Sequence, residues 1–242
     1  DITEVTEKQK KLEEVNKELE TFIYKLSHDL RSPIASVTGL AKIAQLEVED
    51  TTANKYFELI NDLMEKQDGI LQTLVRAMIL KDRNYSVQDI DLSNLMKEIL
   101  KSLQNISGFK ETTIKVDCTV SEPVRLDYQS TYSLLQNLVV NGIKYRKRNI
   151  EKPLVEISIA RDVQRRIRIE VADNGIGISE DIRDKVFEMF YRGSSYSNGS
   201  GLGLYLVKNA VEKMGGTIDL ESQESVGSTF KVSIPVMDAA SN

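Results

Sequence analysis

The sequence predicts an α part followed by an α/β part: a long helical hairpin that forms a dimeric four-helix bundle with a second copy, then an α/β sandwich. Three observations carry this expectation. Apolar residues recur at spacings of three and four from Leu12 to Met78. The acidic stretch "EVEDTTAN" breaks that stripe once, before and after residue 50. Beyond "KDRNYSVQDID" the long helical period gives way to short helices mixed with β-rich runs.

Leu12, Val15, Leu19, Phe22 and Leu26, with Glu and Lys between them, form the seam of a coiled coil that enters a longer helix. The stripe continues through Leu30, Ile34, Val37, Ala41 and Ala44. After the break, Thr51 or Thr52 is expected to cap a second helix. Its apolar face carries Phe57, Ile60, Met64, Ile70 or Leu71, Leu74 and Met78, with Gln67 as a polar interruption. Two such helices joined by a short turn make an antiparallel hairpin, which leaves each stripe half covered. Pairing with a second copy completes the burial, so a homodimer is expected.

A boundary falls near Asn84 to Val87. After it the pattern gives a helix from Leu92 to Leu103, a strand from Thr113 to Thr119 and a helix from Ser130 to Lys147. Strands near Leu154 to Ala160 and Arg166 to Ala172 follow. A helix from Leu202 to Met214 comes next, and a hairpin of Thr217 to Leu220 with Ser228 to Ile234 closes the chain. This order suggests a mixed sheet with helices on one face.

The 242 residues are 40% hydrophobic, enough for a sizeable core. The balance of 32 basic against 37 acidic residues, a net charge of -5, suits a polyanionic partner poorly, so nucleic acid is not expected as a ligand. Arg146, Lys147 and Arg148 form a short basic run, which at a helix end reads as solvated and compatible with the dipole. The single cysteine, Cys118, excludes an internal disulfide and a cysteine-based metal site, and a reducing cytosol fits. No apolar run approaches the roughly 20 residues that cross a bilayer, so no membrane contact is expected within this stretch. The start "DITEVTEKQK" has neither an initiator Met nor a signal-peptide pattern. The chain therefore reads as a cytoplasmic fragment of something longer, with any membrane anchor outside it.

The only histidine lies in "SHDLRSP". At about 100° per residue, His28 falls roughly 200° from Leu26 and Leu30, away from the apolar seam and open to a reagent. A neutral imidazole keeps one lone-pair nitrogen as a nucleophile, and a carboxylate on the other N–H fixes the tautomer. Asp29 is positioned for that. Pro33 has no N–H to give the Asp29 carbonyl, which predicts a bend beside the histidine.

"LLQNLVVNGIKYR" sets Asn137, Asn141 and Lys144 on one helical face. Amide oxygens at this spacing suit a Mg²⁺ shell otherwise made of water and phosphate, and Lys144 offers a cation to the same phosphates. "VADNGIGI" ends a strand with Asp173, Asn174, Gly175 and Gly177, where a carboxylate is able to accept from an exocyclic amine such as that of adenine. "GSGLGL" leads Gly199, Gly201 and Gly203 into a helix whose free N–H groups favour phosphate. Either glycine stretch alone fits a simple turn; the two in order after the asparagine helix do not. Neither a P-loop nor a dinucleotide fingerprint is present, because the cluster lacks a Lys-Ser/Thr ending and follows a loop.

With these residues in view, nearly the whole chain resembles the catalytic core of sensor histidine kinases of two-component systems. "SHDLRSP" is similar to their phosphoacceptor motif, "NLVVNGIKY" to the asparagine box, "DNGIGI" and "GSGLGL" to the glycine boxes, and "VFEMFYRG" to the phenylalanine box. The resemblance implies a coiled-coil signalling helix over residues 1–20, a dimerisation and phosphotransfer domain over 21–84, and an ATP-binding domain over 85–242. It implies that His28 accepts phosphate with Asp29 as acid/base partner, that Asn141 ligates Mg²⁺, and that Asn137 and Lys144 lie near phosphate and Tyr145 near the nucleotide. Asp173 would bind the adenine amine, and Gly175, Gly177, Gly201 and Gly203 would shape the pocket and its lid. Arg192, Gly199 and Leu202 complete the implied nucleotide-binding set, with the lid over Tyr191 to Ser200. The opening "DITE" resembles the end of a PAS sensor domain.

The implied reaction is autophosphorylation of His28 from ATP, then transfer to an aspartate on a response regulator receiver domain. Ser32 stands four residues after the histidine, where members that also dephosphorylate their regulator usually carry Thr or Asn, so phosphatase activity is left open. Two other readings are a conformational ATPase of the same superfamily and a degenerate kinase acting as a dimeric scaffold.

Overall fold

The computed structural model describes residues 30, 32–48, 50–81, 87–147, 152–189, 191 and 201–236. Within the second helix, residues 65, 66, 68, 70 and 72–81 are described by backbone alone. The expected seam from Leu12 to Leu26 and the side chains of Ile70, Leu74 and Met78 lie outside the described residues, as do His28 and Asp29. The chain divides into two compact units, Asp1–Ile79 and Leu80–Asn242.

The first unit carries α1 (residues 32–47) and all but the last two residues of α2 (Thr51–Lys81). The cap of α2 differs from the expected Thr51 or Thr52. Asp50 Oδ1 accepts from the Thr52 amide at 2.7 Å and the Ala53 amide at 3.0 Å. A carboxylate placed one residue earlier reaches two first-turn amides at once, which a threonine hydroxyl inside the helix cannot do. Asn54 Nδ2 donates to the Val48 carbonyl at 3.0 Å, and Asn61 Nδ2 donates to Gln45 Oε1 at 3.2 Å across the two helices. Ala41 and Leu71 are buried, whereas Leu40, Ile43, Leu59 and Leu63 are exposed. Leu30 and Val37, expected on the packed stripe, are 43% and 40% exposed in the single chain. No helix among the described residues is long and apolar enough to cross a membrane.

The second unit is an α/β sandwich. Its five-stranded mixed sheet has the order β2-β4-β5-β7-β6, from β2 (Thr113–Cys118), β4 (Leu154–Arg161), β5 (Arg166–Asp173), β6 (Thr217–Gln223) and β7 (Gly227–Pro235). Only the β2–β4 pair is parallel. Alternation fixes the covered face: Val155, Ile157, Ile159, Ile167, Ile169, Val171, Phe230, Val232 and Ile234 are buried, while Glu156, Ser158, Arg168 and Glu170 between them are exposed. Against the apolar face pack α3 (Leu92–Ser102), α4 (Tyr128–Lys144) and α5 (Gly203–Lys213), through Met96, Leu135, Leu138, Val139, Val207 and Val211 among others.

A second, two-stranded sheet pairs β1 (Val87–Ile90) with β3 (Val124–Asp127), and neither strand was expected. "VQDI" and "VRLD" are too short and too polar to show a period of two. The asparagine helix also shifts against expectation, beginning at Tyr128 and ending at Lys144 instead of running from Ser130 to Lys147. Asp127 caps it, with Oδ2 accepting the Ser130 amide at 2.9 Å. The helix stops where its next groups find other partners. The Tyr145 carbonyl accepts the Ile176 amide at 3.0 Å, and Arg146 turns back, with Nη1 donating to the Ile143 carbonyl at 3.2 Å and Nε to Glu111 Oε2 at 3.1 Å.

Candidate nucleotide site

Helix α4 organises the site. Leu134, Leu135, Leu138 and Val139 hold one side of it in the core, and the 3.6-residue period then turns Asn137 and Asn141 to another side. Asn137 Nδ2 donates to the Ser133 carbonyl at 2.7 Å, which orients its amide. A methyl group on Gly203 would stand 3.3 Å from Asn137 Oδ1 and 3.6 Å from Asn141 Oδ1. The first residue of α5 therefore faces both asparagines.

The start of α5 is suited to an anion. Gly201 has a positive φ of 69°, Leu202 is buried, and no side chain caps the first turn. Its early amides are left for phosphate, which the helix dipole also favours. Asn137, Asn141, Gly201, Leu202 and Gly203 are thus brought together.

At the other side of α4, Gly142 lies against the end of β5. A methyl there would come 3.6 Å from Asp173 Cβ and 2.7 Å from Val155 Cγ2. Asp173 Oδ1 accepts the Gly175 amide at 2.8 Å. Burial pushes the Asp173 carboxyl above its ordinary value; the amides of Gly175 and Ser228 and the charge of Lys147 oppose this, and burial prevails. A half-buried acceptor of this kind gains from a donor brought by a ligand.

Gly175 and Gly177 form the loop that follows. A Cβ on Gly175 would overlap the Tyr145 carbonyl, and one on Gly177, whose φ is 69°, would overlap the Gln223 carbonyl. The loop is therefore wedged between the end of α4 and the β6–β7 turn. Lys144, expected near phosphate, has its ammonium 5.1 Å from the centroid of the Tyr145 ring. Ser32 is exposed on α1, its carbonyl accepting from Ser36 Oγ at 3.1 Å. Arg192 and Gly199 lie outside the described residues, as does the expected lid beyond Tyr191.

Gly142, Lys147 and Ser228 are the site residues that sequence reasoning missed. A glycine inside a strongly helical stretch costs about 1 kcal/mol relative to alanine, so Gly142 carried a readable hint of close approach. Ser228 became visible only through register, since β7 sets it opposite Asp173.

The donor set suits ATP with Mg²⁺. Among the described residues no three His, Cys, Asp or Glu side chains gather to cage a metal. Mg²⁺ commonly keeps water and phosphate oxygens with one or two protein ligands, a role open to an amide oxygen beside the uncapped start of α5.

Residues 126–238 match the family described as histidine kinase-, DNA gyrase B- and HSP90-like ATPase. The autoinducer 2 sensor kinase/phosphatase LuxQ of Vibrio vulnificus is 29% identical over 229 residues, covering 89% of this chain and 26% of that protein. The aerobic respiration control sensor protein ArcB of Escherichia coli is 28% identical over 244 residues, covering 97% and 31%. This chain thus spans about a quarter to a third of the length of these relatives. The crystal structure of full-length ShkA in complex with AMPPNP shares the fold, with a TM-score of 0.72 at 22% identity over 90% of this chain and 46% of that one.

Proposed function

We infer that the chain belongs to the sensor histidine kinases and is an ATP-dependent protein histidine kinase of a two-component system, a reading supported by the family match over residues 126–238 and by the similarity to LuxQ and ArcB. It phosphorylates its own His28 and passes the phosphoryl group to an aspartate on a response regulator receiver domain. One observation carries this reading: α4 touches Asp173 through Gly142 and the uncapped start of α5 through Asn137 and Asn141. A single rigid helix thereby spaces an adenine-type acceptor from a phosphate-type cradle.

Asp173 accepts the adenine amine, and the Gly175–Gly177 loop lies beside the base. The early amides of α5, with Lys144, hold the phosphates. Asn141, with Asn137 beside it, would hold Mg²⁺, which offsets phosphate charge when bound. The lone-pair nitrogen of His28 forms the N–P bond while the bond from the γ-phosphorus to the bridging oxygen breaks, and ADP leaves. Asp29 binds the other ring N–H and steadies the positive charge. In the second step a receiver carboxylate oxygen attacks phosphorus and the N–P bond breaks.

Residues 1–20 act as a signalling coiled coil, 21–84 as the dimerisation and phosphotransfer domain and 85–242 as the catalytic domain, on the cytoplasmic side of any membrane. The hairpin pairs with a second copy as a four-helix bundle, a reading supported by the exposed Leu40, Ile43, Leu59 and Leu63. The test is labelling with γ-labelled ATP. Wild-type chain should acquire acid-labile label and His28→Gln none; label that persists in the variant refutes the acceptor.

A further inference from the structure

We propose that Lys147 is a positioning residue of the nucleotide site, closing a ring of hydrogen bonds that fixes the Gly175–Gly177 loop and, with it, the direction in which Asp173 presents its carboxylate. The middle residue of the basic run thus has a structural partner of its own.

The ring is short and complete. The Ile176 amide donates to the Tyr145 carbonyl at 3.0 Å, the Ser225 amide donates to the Ile176 carbonyl at 2.7 Å, and Lys147 Nζ donates to the Ser225 carbonyl at 2.7 Å. Tyr145 and Lys147 are two residues apart, so the backbone closes the circuit. Ile176 has its amide and its carbonyl engaged on opposite sides, and both partners are tied together by one ammonium.

Each neighbour of the ring needs such a tie. Ser225 has a positive φ of 61°, a conformation that non-glycine residues adopt at some cost, so the β6–β7 turn gains from a charged donor on its carbonyl. The far side of the loop has separate fastenings. The Ile178 amide donates to Ser222 Oγ at 2.8 Å, that hydroxyl donates to the Gly227 carbonyl at 2.8 Å, and Arg183 Nη2 donates to the Ser222 carbonyl at 2.9 Å. The loop is held at Ile178 by the Ser222 hydroxyl, whose residue is itself fastened through Gly227 and Arg183, and at Ile176 by the Lys147 ring. Loss of Lys147 would release one side only, the side that carries the Gly175 amide bonded to Asp173 Oδ1 at 2.8 Å. The same ammonium acts electrostatically on Asp173, favouring its charged form against burial.

The proposal rests on the nucleotide reading for the identity of the ligand and on the ring for the role of Lys147. The test compares wild type, Lys147→Met and Lys147→Arg in the full chain. Dissociation constants are measured for ATP and for inosine triphosphate, whose base lacks the exocyclic amine, and amide exchange is followed without nucleotide. Lys147→Met is expected to weaken ATP binding about fivefold, as for a partly exposed charge-assisted hydrogen bond. Its preference for ATP over inosine triphosphate should fall by a similar factor. Exchange at Ile176 and Ser225 should quicken while the β5 and α4 amides stay slow, and Lys147→Arg should restore all three. A wild-type preference in Lys147→Met overturns the proposal, as does an equal loss for both nucleotides with faster exchange throughout the unit. If the wild-type chain binds neither nucleotide, the functional reading fails and the proposal with it.

Discussion

Lys213→Met is expected to destabilise the second unit through a buried ion pair that joins the N-terminus of α4 to the last turn of α5. Asp127, at the N-terminus of α4, is 1% exposed, and its Oδ2 lies 3.8 Å from Nζ of Lys213, in the last turn of α5, whose side chain is 10% exposed. Unit charges at that separation attract by about 4 kcal/mol at an effective dielectric constant of 20. Removing one partner of a buried pair generally costs about 3–5 kcal/mol, because the remaining charge stays desolvated. Two features reduce that here. The separation is at the long end for an ion pair, and the Ser130 amide continues to bond the Asp127 carboxylate at 2.9 Å. A loss of about 2 kcal/mol follows for Lys213→Met. Asp127→Asn keeps a good cap and should cost about 1 kcal/mol. With both changes no charge is buried, so the double variant should lie about 1 kcal/mol below wild type, giving a coupling of about 2 kcal/mol. Urea unfolding followed by amide exchange on β5 and β7 reads this unit alone. Additive single and double variants would refute the coupling.

Asp173→Asn should abolish measurable ATP binding without lowering the stability of the nucleotide-free chain, since the amide oxygen still accepts from Gly175; retained affinity counts against the adenine role. Because burial raises the Asp173 carboxyl, its contribution to stability is full below the ordinary carboxylate range and is lost as pH rises through the raised value. Thermal unfolding of the nucleotide-free protein should show that slope in wild type and not in Asp173→Asn. Asp50 behaves oppositely: the amides of Ala53 and Thr52 lower its carboxyl, so its stabilisation of α2 is present above the usual range and lost as pH falls through the lowered value. Helicity of Asp50→Ala measured by circular dichroism should lack that acid dependence. Asn141→Ala should raise the Mg²⁺ concentration needed for half-maximal labelling by at least about tenfold, as for loss of a metal contact, and change Mg²⁺-free nucleotide binding by less than about twofold. An unchanged Mg²⁺ requirement would remove the ligand role.

What could be read from the residues was whatever repeats or punctuates. The alternation of Ile157, Ile159, Ile167 and Ile169 with polar residues marked β4 and β5, and β5 itself ends one residue beyond the expected Ala172. The asparagine spacing on α4 and the glycines before α5 were legible for the same reason. Three things were not. Strands β1 and β3 are four residues each, below the length at which a period shows. The end of α4 depended on a tertiary bond from Ile176 to Tyr145, which lies 31 residues away in sequence. The cap of α2 was a choice among adjacent polar residues, settled by the reach of the Asp50 carboxylate. The basic run shows the limit most clearly, since charge pattern alone described Lys147 as solvated and only the register of β6 with β7 brings the Ser225 carbonyl to it.

The two units bury their apolar residues to different extents, and that difference bears on the division of labour in the proposed kinase. In the second unit, both faces of the problem are solved within one chain: the helices cover the apolar side of the sheet, and residues such as Ile143, Val155, Ile159 and Val207 are fully buried. The elements of the candidate nucleotide site therefore rest on a core built within one chain. The described hairpin is otherwise. Leu40, Ile43, Tyr56, Leu59 and Leu63 are exposed, while its contacts across the turn include amide pairs such as Asn61 with Gln45. An antiparallel pair of amphipathic helices offers each stripe only one neighbour, and apolar surface left in water favours association with a like surface. In the proposed dimer a second hairpin would supply that surface by symmetry, which would make the proposed acceptor helix the dimer-dependent part and the candidate nucleotide site the self-sufficient one. On that reasoning a change that breaks the proposed dimer should leave nucleotide affinity intact and suppress His28 labelling, because the two halves of the reaction are stabilised by separate cores.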